Sequence, residues 1–335
     1  YEIASCLVGS EMCIRDSRAP GQNALSTARK ESDTVEIQSG FFNGFTTGTP
    51  LCARIVNSDQ HSKDYSILAD KMRPGHADYA GHVRYQGFND YRGGGHFSGR
   101  LTAPLVFSGA VAKQALAQYG IIVGSHILQI NDIKEERFNP MGVSDAELAE
   151  LHTKKFAVMD DAVGEKMQER ILQAKSELNS VGGVIEAIAL HLPAGIGAPY
   201  FDSVESMLSH ALFSVPAVKG VEFGDGFGFA RLTGAEANDA LHYVDGKVKA
   251  LTNHNGGVTG GITNGMPFVV RVAIKPTPSI AREQQTVSLK EQADTTLAIV
   301  GRHDPCIVQR AVPVIEAVVA WTLWDLLLEA KKWEK

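Results

Sequence analysis

The sequence predicts a single domain of the α+β class. Short runs rich in β-branched residues and longer runs with helical periodicity both occur, but they lack the steady strand–helix alternation of a doubly wound sheet. No linker-like change of composition and no internal repeat divides the 335 residues. Because 44% of the residues are hydrophobic, the chain can bury a large core, and we expect an ordinary globular protein.

The first predicted elements are two short strands, a helix and a third strand. Residues 34–38 and 51–56 have strand character, and a Gly-Thr-Pro turn at residues 48–50 separates candidate strands. Residues 104–119 are predicted to form a helix whose proline lies near the first turn, where the missing N–H costs little. Residues 121–130 form the next predicted strand.

Two helices and two strands are predicted further along the chain. Ser144 and Glu147 have the Ser-x-x-Glu spacing of a capping box, which opens a helix. Residues 161–180 alternate charged and apolar residues at helical spacing, so their charges are most simply a solvated helix face. Residues 183–192 and 268–274 are rich in Val, Ile and Ala and are predicted to be strands.

The chain closes with a helix predicted at about residues 313–332. Its most apolar stretch is interrupted by Glu316 and Asp325, which a membrane span would rarely carry. We therefore predict a buried helix and no membrane partner.

Charge and cysteine content narrow the class of partner. The formal net charge is -6 and no long Lys/Arg run occurs, so nucleic acid is not the expected partner, although a local basic pocket would still bind an acidic small molecule. Cys6, Cys13, Cys52 and Cys306 show no paired spacing. We expect no disulfide framework, no metal site and a cytoplasmic location.

Residues 1–17 differ from the rest of the chain. They lack the basic region, sustained apolar run and cleavage site of a signal peptide, and they show neither a helix cap nor a clear period. We predict a non-native leader at residues 1–17 and one domain over residues 18–335.

Charged and polar residues concentrate in loops rich in glycine and proline. Glycines let the backbone adopt positive φ and approach a ligand closely, and Arg92 and Arg100 can meet phosphate or carboxylate as bidentate donors. This combination predicts a site for an anionic ligand. The loops are RPGHADY (73–79), DYRGGGHFSGR (90–100), VKGVEFGDGFG (218–228), NHNGGVTGGITNGMP (253–267), KPTPS (275–279) and GRHDPC (301–306).

Each loop also has a simpler interpretation. A single loop histidine, such as His76 or His303, is most often a structural residue, and glycine clusters mark turns more often than ligand sites. GDGFGF at residues 224–229 lacks a strand–turn–helix setting, so we expect a turn there and no dinucleotide fingerprint. The recurrence of Arg, Lys, His and Asp in these loops favours a site, since turn chemistry does not require them.

The motifs RPGHADY, DYRGGG, AVKGVE-x-GDGF, NHNGGVTGGITNGMP, RVAIKPTPSI and GRHDPC, in this order, resemble those of the chorismate synthase family. The resemblance runs from about Arg18 to the end of the chain and implies a β-α-β layered sandwich of the chorismate synthase type, assembled as a homotetramer. It also implies an anti-1,4 elimination of phosphate from 5-enolpyruvylshikimate 3-phosphate to give chorismate, with reduced FMN as cofactor. The sequence leaves open whether the chain reduces its own flavin with NADPH or relies on an outside reductant.

The resemblance implies roles for individual residues. His76 matches a histidine that acts on the reduced flavin as a proton donor or hydrogen-bond partner, and Asp304 matches a carboxylate that helps to remove the ring proton. The residues implied in substrate binding are Arg18, Arg73, Ser98 and Arg100. Those implied in cofactor binding are His96, Phe97, Ser98, Ala217, Gly260, Lys275, Pro276, Thr277, Pro278, Ser279 and Arg302.

The chain departs from the family's pattern at several positions. It contains no Gly-Glu-Ser-His-Gly motif, whose histidine is placed to protonate the departing phosphate, and we expect the first strand to be missing as well. HFSGR at residues 96–100 stands where the family has Arg-Ser-Ser-Ala-Arg, Pro216 replaces a common asparagine, and Ala24 replaces an arginine. Loss of a general acid predicts a flavin and substrate binder whose turnover is lower by ~10²–10⁴-fold.

Two other classes of protein are alternatives to this interpretation. A nicotinamide-dependent oxidoreductase needs a strand, a GxGxxG turn and a helix with an acidic residue further on, and the sequence shows no such unit. A non-catalytic binding protein would bind flavin more tightly with substrate present and yet release no phosphate.

Overall fold

The computed structural model describes residues 25–26, 33–57, 67–299 and 303–332. The predicted leader, Arg18, Ala24 and Arg302 lie outside these residues.

Strands and helices follow one another in mixed order within the described ranges, which confirms the α+β class. The strands are β1 (Val35–Ser39), β2 (Phe41–Phe42), β3 (Phe45–Thr46), β4 (Cys52–Ile55), β5 (Ile122–Ile130), β6 (Ile133–Lys134), β7 (Gly183–Leu190), β8 (Val218–Phe223), β9 (Leu241–Val244), β10 (Lys247–Ala250), β11 (Val258–Thr259), β12 (Ile262–Thr263), β13 (Phe268–Ile274), β14 (Gln284–Ser288) and β15 (Ala293–Leu297). The helices are α1 (Asp78–Arg84), α2 (Thr102–Ala117), α3 (Asp145–Thr153), α4 (Asp161–Ser176), α5 (Val204–Phe213), α6 (Gly234–Ala237) and α7 (Val308–Lys331).

A five-stranded antiparallel sheet lies at the centre, with strand order β6–β5–β7–β13–β8. Strands β5, β7 and β13 are buried along most of their length, so both faces of the sheet are covered. Helix α7 reaches β5 through a hydrogen bond from Ser125 to Glu316, whereas Leu148 of α3 packs on Gly124. Because successive residues of a strand point to opposite faces, α7 and α3 cover opposite faces of the sheet.

The β1–β4 hairpin packs into the same hydrophobic core as α2 and α7. Val35, Ile37, Ala53 and Ile55 of the hairpin belong to the cluster that contains the buried faces of these helices and one face of the central sheet. The helices are therefore combined with two separate β-structures, in agreement with the expected β-α-β layers.

Helices α2 and α7 approach each other closely at Gly109. A Cβ atom on this glycine would lie 2.2 Å from the Cβ of Ala317, far inside van der Waals contact. Any larger residue at position 109 would push the two helices apart, so this glycine sets the distance between them.

Most predicted elements are confirmed, but some ends differ. Helix α7 begins at Val308, five residues before the predicted start, because burial of Val308 and Val312 outweighs the hydrogen bond that Pro313 removes in the second turn. Helix α4 ends at Ser176 instead of residue 180, since Leu178 adopts a positive φ of 56° that ends the helical path. The predicted capping box is present, with the Ser144 amide donating to Glu147 and the Glu147 amide donating back.

Helix α7 is long and apolar enough to cross a membrane by composition alone. However, 67% of its most apolar window is buried inside the protein, which confirms the predicted core helix.

A row of charged side chains crosses the face of the sheet that α3 covers. His126 of β5 contacts Glu135 and, at 3.1 Å, Glu186 of β7, which accepts from Arg271 of β13 at 3.1 Å. Arg271 also donates to Glu222 of β8 at 2.5 Å. Burial alone would lower the pKa of His126, but its hydrogen bonds to the two carboxylates raise it above the ordinary value. The row therefore alternates in charge across the strands.

Glu316 of α7 joins three other elements to that helix. Its carboxylate accepts from Lys113 of α2, contacts His152 of α3 at 3.0 Å and accepts from Ser125 of β5 at 2.8 Å. A buried charge is tolerated when it is paired and hydrogen-bonded in this way.

We expect the contribution of Glu316 to stability to disappear in acid. Burial alone would raise the pKa of this carboxyl, but Lys113 and His152 lower it from 4.5 to about 2. A depressed folded-state pKa stabilises the protein above the unfolded-state pKa, and this stabilisation is lost as the pH falls through the folded-state pKa. The difference in unfolding free energy between wild type and Glu316→Gln should shrink from about pH 5 to about pH 2 in urea titrations. A difference that stays constant over this range would contradict the assignment.

Candidate active site

One end of the central sheet gathers several of the sequence motifs. Strand β13 stops at Ile274, which pairs with Gly183 at the start of β7 and with Val218 at the start of β8. Just beyond these strand ends, the amide of Lys275 donates to the carbonyl of Ala217 at 2.9 Å. The KPTPS motif and Ala217, both predicted to bind cofactor, therefore lie side by side.

The segment before α7 reaches the same end of the sheet. The amide of Val181 donates to the carbonyl of Pro305 at 2.9 Å, and the hydroxyl of Ser180 donates to the carbonyl of Thr277 at 2.7 Å. Asp304 directly precedes Pro305 in the chain. The predicted catalytic carboxylate is thus brought to the neighbourhood of the KPTPS motif.

The carboxylate of Asp304 is mostly buried and is paired within its own segment. It accepts a hydrogen bond from the guanidinium of Arg310 in the first turn of α7. Cys306, two residues further on, is buried, and burial raises the pKa of its thiol to about 12, so this cysteine is not a nucleophile at neutral pH.

The RPGHADY motif docks on the KPTPS motif. Arg73 donates from Nη1 to the Ser279 hydroxyl at 3.1 Å, and the Lys275 ammonium donates to the carbonyl of Gly75. A Cβ atom on Gly75 would lie 3.6 Å from the Cβ of Pro278. These contacts join residues that are about two hundred positions apart in the sequence.

The β14–β15 hairpin contacts the two residues that precede the RPGHADY motif. Lys71 pairs with Ser288, the amide of Met72 donates to Val287, and the Thr286 hydroxyl donates to the carbonyl of Met72. The loop that carries His76 is therefore fixed on both sides by the segment that follows β13.

Arg73, His76 and Asp78 form a tight cluster at the start of α1. The Asp78 carboxylate accepts from Nε of Arg73 at 2.8 Å and from Nη2 at 2.8 Å, which is a bidentate pair. Nδ1 of His76 lies 2.6 Å from Oδ1 of the same carboxylate. Burial alone would raise the pKa of Asp78, but the hydrogen bonds from Arg73 and His76 hold it well below its ordinary value. Asp78 is therefore an anion at neutral pH.

Residues 90–100 lie against this cluster. A Cβ atom on Gly94 would be 3.8 Å from both Cε1 of His76 and Cβ of Ser98, so Gly94 lies between these two side chains. Phe97 packs its ring on Gly81 of α1, whose added Cβ would lie 2.6 Å from that ring. Of the predicted cofactor residues, Ser98 thus lies close to His76 across Gly94, and Phe97 packs on α1.

Two other predicted site residues, Arg100 and His96, lie in different surroundings: Arg100 is hydrogen-bonded to a different part of the chain, and His96 is exposed. The Arg100 guanidinium donates to the buried carboxylate of Asp33 and to the carbonyl of Val56 at 3.0 Å, so it joins residues 90–100 to the region of the β1–β4 hairpin. The side chain of His96 is exposed.

Gly260 is separated from the other predicted cofactor residues within this chain. It lies in the turn between β11 and β12, and the neighbouring Gly261 accepts from the amide of Val204 at the start of α5. Ala217 follows the opposite end of α5, which at 1.5 Å per residue is about 15 Å long. The structure therefore does not bring Gly260 to Ala217 and Lys275.

Positive charge and one buried hydroxyl without a partner among the described residues are found at the site. Burial, followed by repulsion from Lys219, lowers the pKa of Lys275, which indicates two neighbouring ammonium groups. The hydroxyl of Thr277 is buried and has no hydrogen-bond partner among the described residues. Ala217 has a positive φ of 75°, a strained conformation for a residue with a Cβ. A ligand with acceptor atoms and negative charge fits these residues.

Sequence reasoning named the RPGHADY motif but missed the contribution of Asp78. The available signal was an acidic residue two positions after the histidine at a helix start, where a negative charge is favourable. Lys219 was also missed, because its proximity to Lys275 depends on the pairing of β8 with β13.

The fold and site together define an α+β enzyme for an anionic small molecule. The family pattern described as chorismate synthase matches residues 10–328. The chorismate synthase of Pyrococcus abyssi is 46% identical over 328 residues, which are 98% of this chain and 90% of that protein. The chorismate synthase of Thermococcus gammatolerans is 46% identical over 324 residues, which are 97% of this chain and 89% of that protein.

A solved structure, described as a crystal structure of chorismate synthase, shares the fold with a TM-score of 0.72 at 27% identity, covering 97% of this chain and 83% of that one. The chain belongs to the chorismate synthase family. Its function is that of a chorismate synthase, a carbon–oxygen lyase of the shikimate pathway, and the family depends generally on a reduced flavin.

Proposed function

We propose that the chain eliminates phosphate from 5-enolpyruvylshikimate 3-phosphate with reduced FMN bound beside His76. The C–O bond to phosphate and one ring C–H bond break, and a new ring double bond forms, so the reaction has no net redox change. The meeting of residues 73–79, 90–100 and 275–279 at one end of the sheet is the observation that carries this proposal.

The substrate carries a phosphate and two carboxylates, and the cationic side chains of the site can bind these anionic groups. Burial and the nearby Lys219 ammonium lower the pKa of Lys275, so two cations lie close together. Arg73 donates three of its five guanidinium N–H groups to Asp78 and Ser279, and an Nη1 hydrogen is left for a ligand. Substrate binding by Ser98, Arg100 and Arg18 stays a prediction, and so does cofactor binding by Gly260 and Arg302.

When bound, the reduced flavin supplies electron density that assists the loss of phosphate and recovers it as the ring hydrogen leaves. Ala217, Lys275 and the Thr277 hydroxyl would hold it from one side, and Phe97 and Ser98 from the other. His76 would donate a proton from Nε2 when both ring nitrogens carry a hydrogen, or accept a hydrogen bond at Nε2 when the ring is neutral, and Asp304 would accept the ring proton. The two prolines of the KPTPS motif, Pro276 and Pro278, keep this loop rigid, and Ser279 accepts from Arg73.

The proposal is tested by anaerobic assay of phosphate release. With chemically reduced FMN and 5-enolpyruvylshikimate 3-phosphate, we expect phosphate and chorismate to appear in equal amounts. Oxidised FMN should give neither, and NADPH without a chemical reductant shows whether the chain reduces its own flavin. Flavin binding that tightens with substrate, but without phosphate release, would show a binding protein and overturn the catalytic proposal.

We also propose a cytoplasmic homotetramer. Large apolar side chains such as Tyr200, Phe201, Phe227 and Tyr243 are between 79% and 91% exposed, and contacts between subunits would cover them. Light scattering should give four times the chain mass of 36.1 kDa. A monomer in solution would contradict this assembly.

A further inference from the structure

Asp78 has no assigned part in the reaction, yet it is the common partner of Arg73 and His76, two largely buried polar side chains of the RPGHADY motif. Its Oδ1 accepts from Nη2 of Arg73 at 2.8 Å and lies 2.6 Å from Nδ1 of His76. Its Oδ2 accepts from the backbone amide and Nε of Arg73 at 3.0 and 2.8 Å. All four contacts require an acceptor at Asp78, which an ionised carboxylate provides.

The contacts at Nδ1 of His76 decide which ring nitrogen carries the hydrogen. Nη2 of Arg73 lies 3.1 Å from Nδ1 and could donate to it, whereas Asp78 can only accept from it. An unprotonated Nδ1 at 2.6 Å from a carboxylate oxygen would place two lone pairs against each other. The shorter contact therefore requires an Nδ1–H that donates to Asp78.

With Nδ1 committed to Asp78, Nε2 is the ring atom that is left for chemistry. A Cβ atom added to Gly94 would lie 3.9 Å from Nε2, so this edge of the ring faces residues 90–100. Two other charged side chains lie at the loop that carries His76. Arg73 is neutralised by Asp78, and the Lys275 ammonium donates to the carbonyl of Gly75.

We propose that Asp78 is a positioning residue for the elimination, which fixes His76 as the Nδ1–H tautomer and aims Nε2 at the flavin and substrate. The proposal rests on the role proposed above for His76. A carboxylate in this position keeps the imidazole from rotating, and it stabilises the ring when Nε2 gains a proton. Asp78 itself does not touch the reacting atoms.

The first test measures the tautomer of His76 in the whole protein, without any turnover. Long-range ¹H–¹⁵N spectra of ¹⁵N-histidine-labelled protein distinguish Nδ1–H from Nε2–H, and the His76→Gln variant identifies the signal of His76. We expect the Nδ1–H form when His76 is neutral. An Nε2–H form in the wild type overturns the proposal, whatever the outcome of the phosphate assay.

The second test replaces Asp78 with asparagine, which keeps the size and can still accept from Arg73. Its amide NH₂ can donate to His76 Nδ1 and so favours the Nε2–H tautomer. We expect kcat to fall by about 10–100-fold with KM nearly unchanged. We also expect the ¹⁵N signals of His76 to change to those of the Nε2–H tautomer, and the pH profile of kcat to be altered. Unchanged kcat and tautomer in a folded Asp78→Asn variant would overturn the proposal.

Asp145→Asn is the matched control. Asp145 is also the first residue of its helix and also pairs with a histidine, His191, at 3.1 Å. Both side chains are more than half exposed, and α3 lies away from the site. We expect wild-type kcat and an unchanged His76 signal. If Asp78→Asn fails to fold, two measurements still decide the question. They are the tautomer of His76 in the wild type and kcat of the Asp78→Glu variant, which keeps the negative charge.

Discussion

Replacement of His76 by glutamine lowers the rate of phosphate release by about 10²–10⁴-fold, the range typical for loss of one proton-transfer group. Glutamine keeps a similar length and can donate its amide to Asp78, but it cannot exchange a proton at neutral pH. Binding of FMN and substrate should therefore change little, because Lys275, Ala217 and Ser98 are left in place. Stopped-flow phosphate release separates this loss of kcat from a change in affinity.

His191→Gln provides the control for this experiment. His191 pairs with Asp145 on the exposed surface and follows the end of β7 opposite to Gly183, which pairs with Ile274, so its replacement should leave turnover unchanged. A His76→Gln enzyme that retains turnover close to that of wild type would remove His76 from the catalytic group.

Replacement of Arg271 by methionine should lower the free energy of unfolding by about 3–5 kcal/mol, as expected when one member of a buried ion pair is removed. Arg271 is 4% exposed and stands between Glu186 and Glu222, and it also donates to the carbonyl of Gly224. Without the guanidinium, this carbonyl loses its partner, Glu222 keeps the amide of Phe227 at 3.3 Å, and among the described residues Glu186 keeps His126 and the amide of Phe138. Urea unfolding of both proteins measures the difference.

The matched surface change is Arg54→Met. Arg54 pairs with Glu36 at 3.8 Å, and both side chains are more than half exposed, so its loss should cost less than about 0.5 kcal/mol. An equal effect of the two substitutions would show that the charge row across the sheet contributes no more than a surface pair.

The elements of the fold were largely predictable from local pattern. The high Val, Ile and Ala content of residues 183–192 and 268–274 predicts two of the central strands, and the Ser144–Glu147 spacing predicts the start of α3. The start of α7 was predicted wrongly, because a proline inside a helix usually marks its beginning. Here the burial of Val308 and Val312 depends on packing against the rest of the core, which no local pattern contains.

The sequence alone also determined the family, since six motifs in a fixed order specify the chemistry that the loops carry. It did not determine the partners of the charged side chains. Only the tertiary structure shows that Arg73 is held by Asp78 and Ser279, that Arg100 reaches Asp33, and that Gly260 lies at the far end of α5. The physical reason is that residue type fixes what a side chain can bind, whereas distance and burial decide what it does bind. Both depend on segments that are distant in sequence and meet only when the sheet and helices pack.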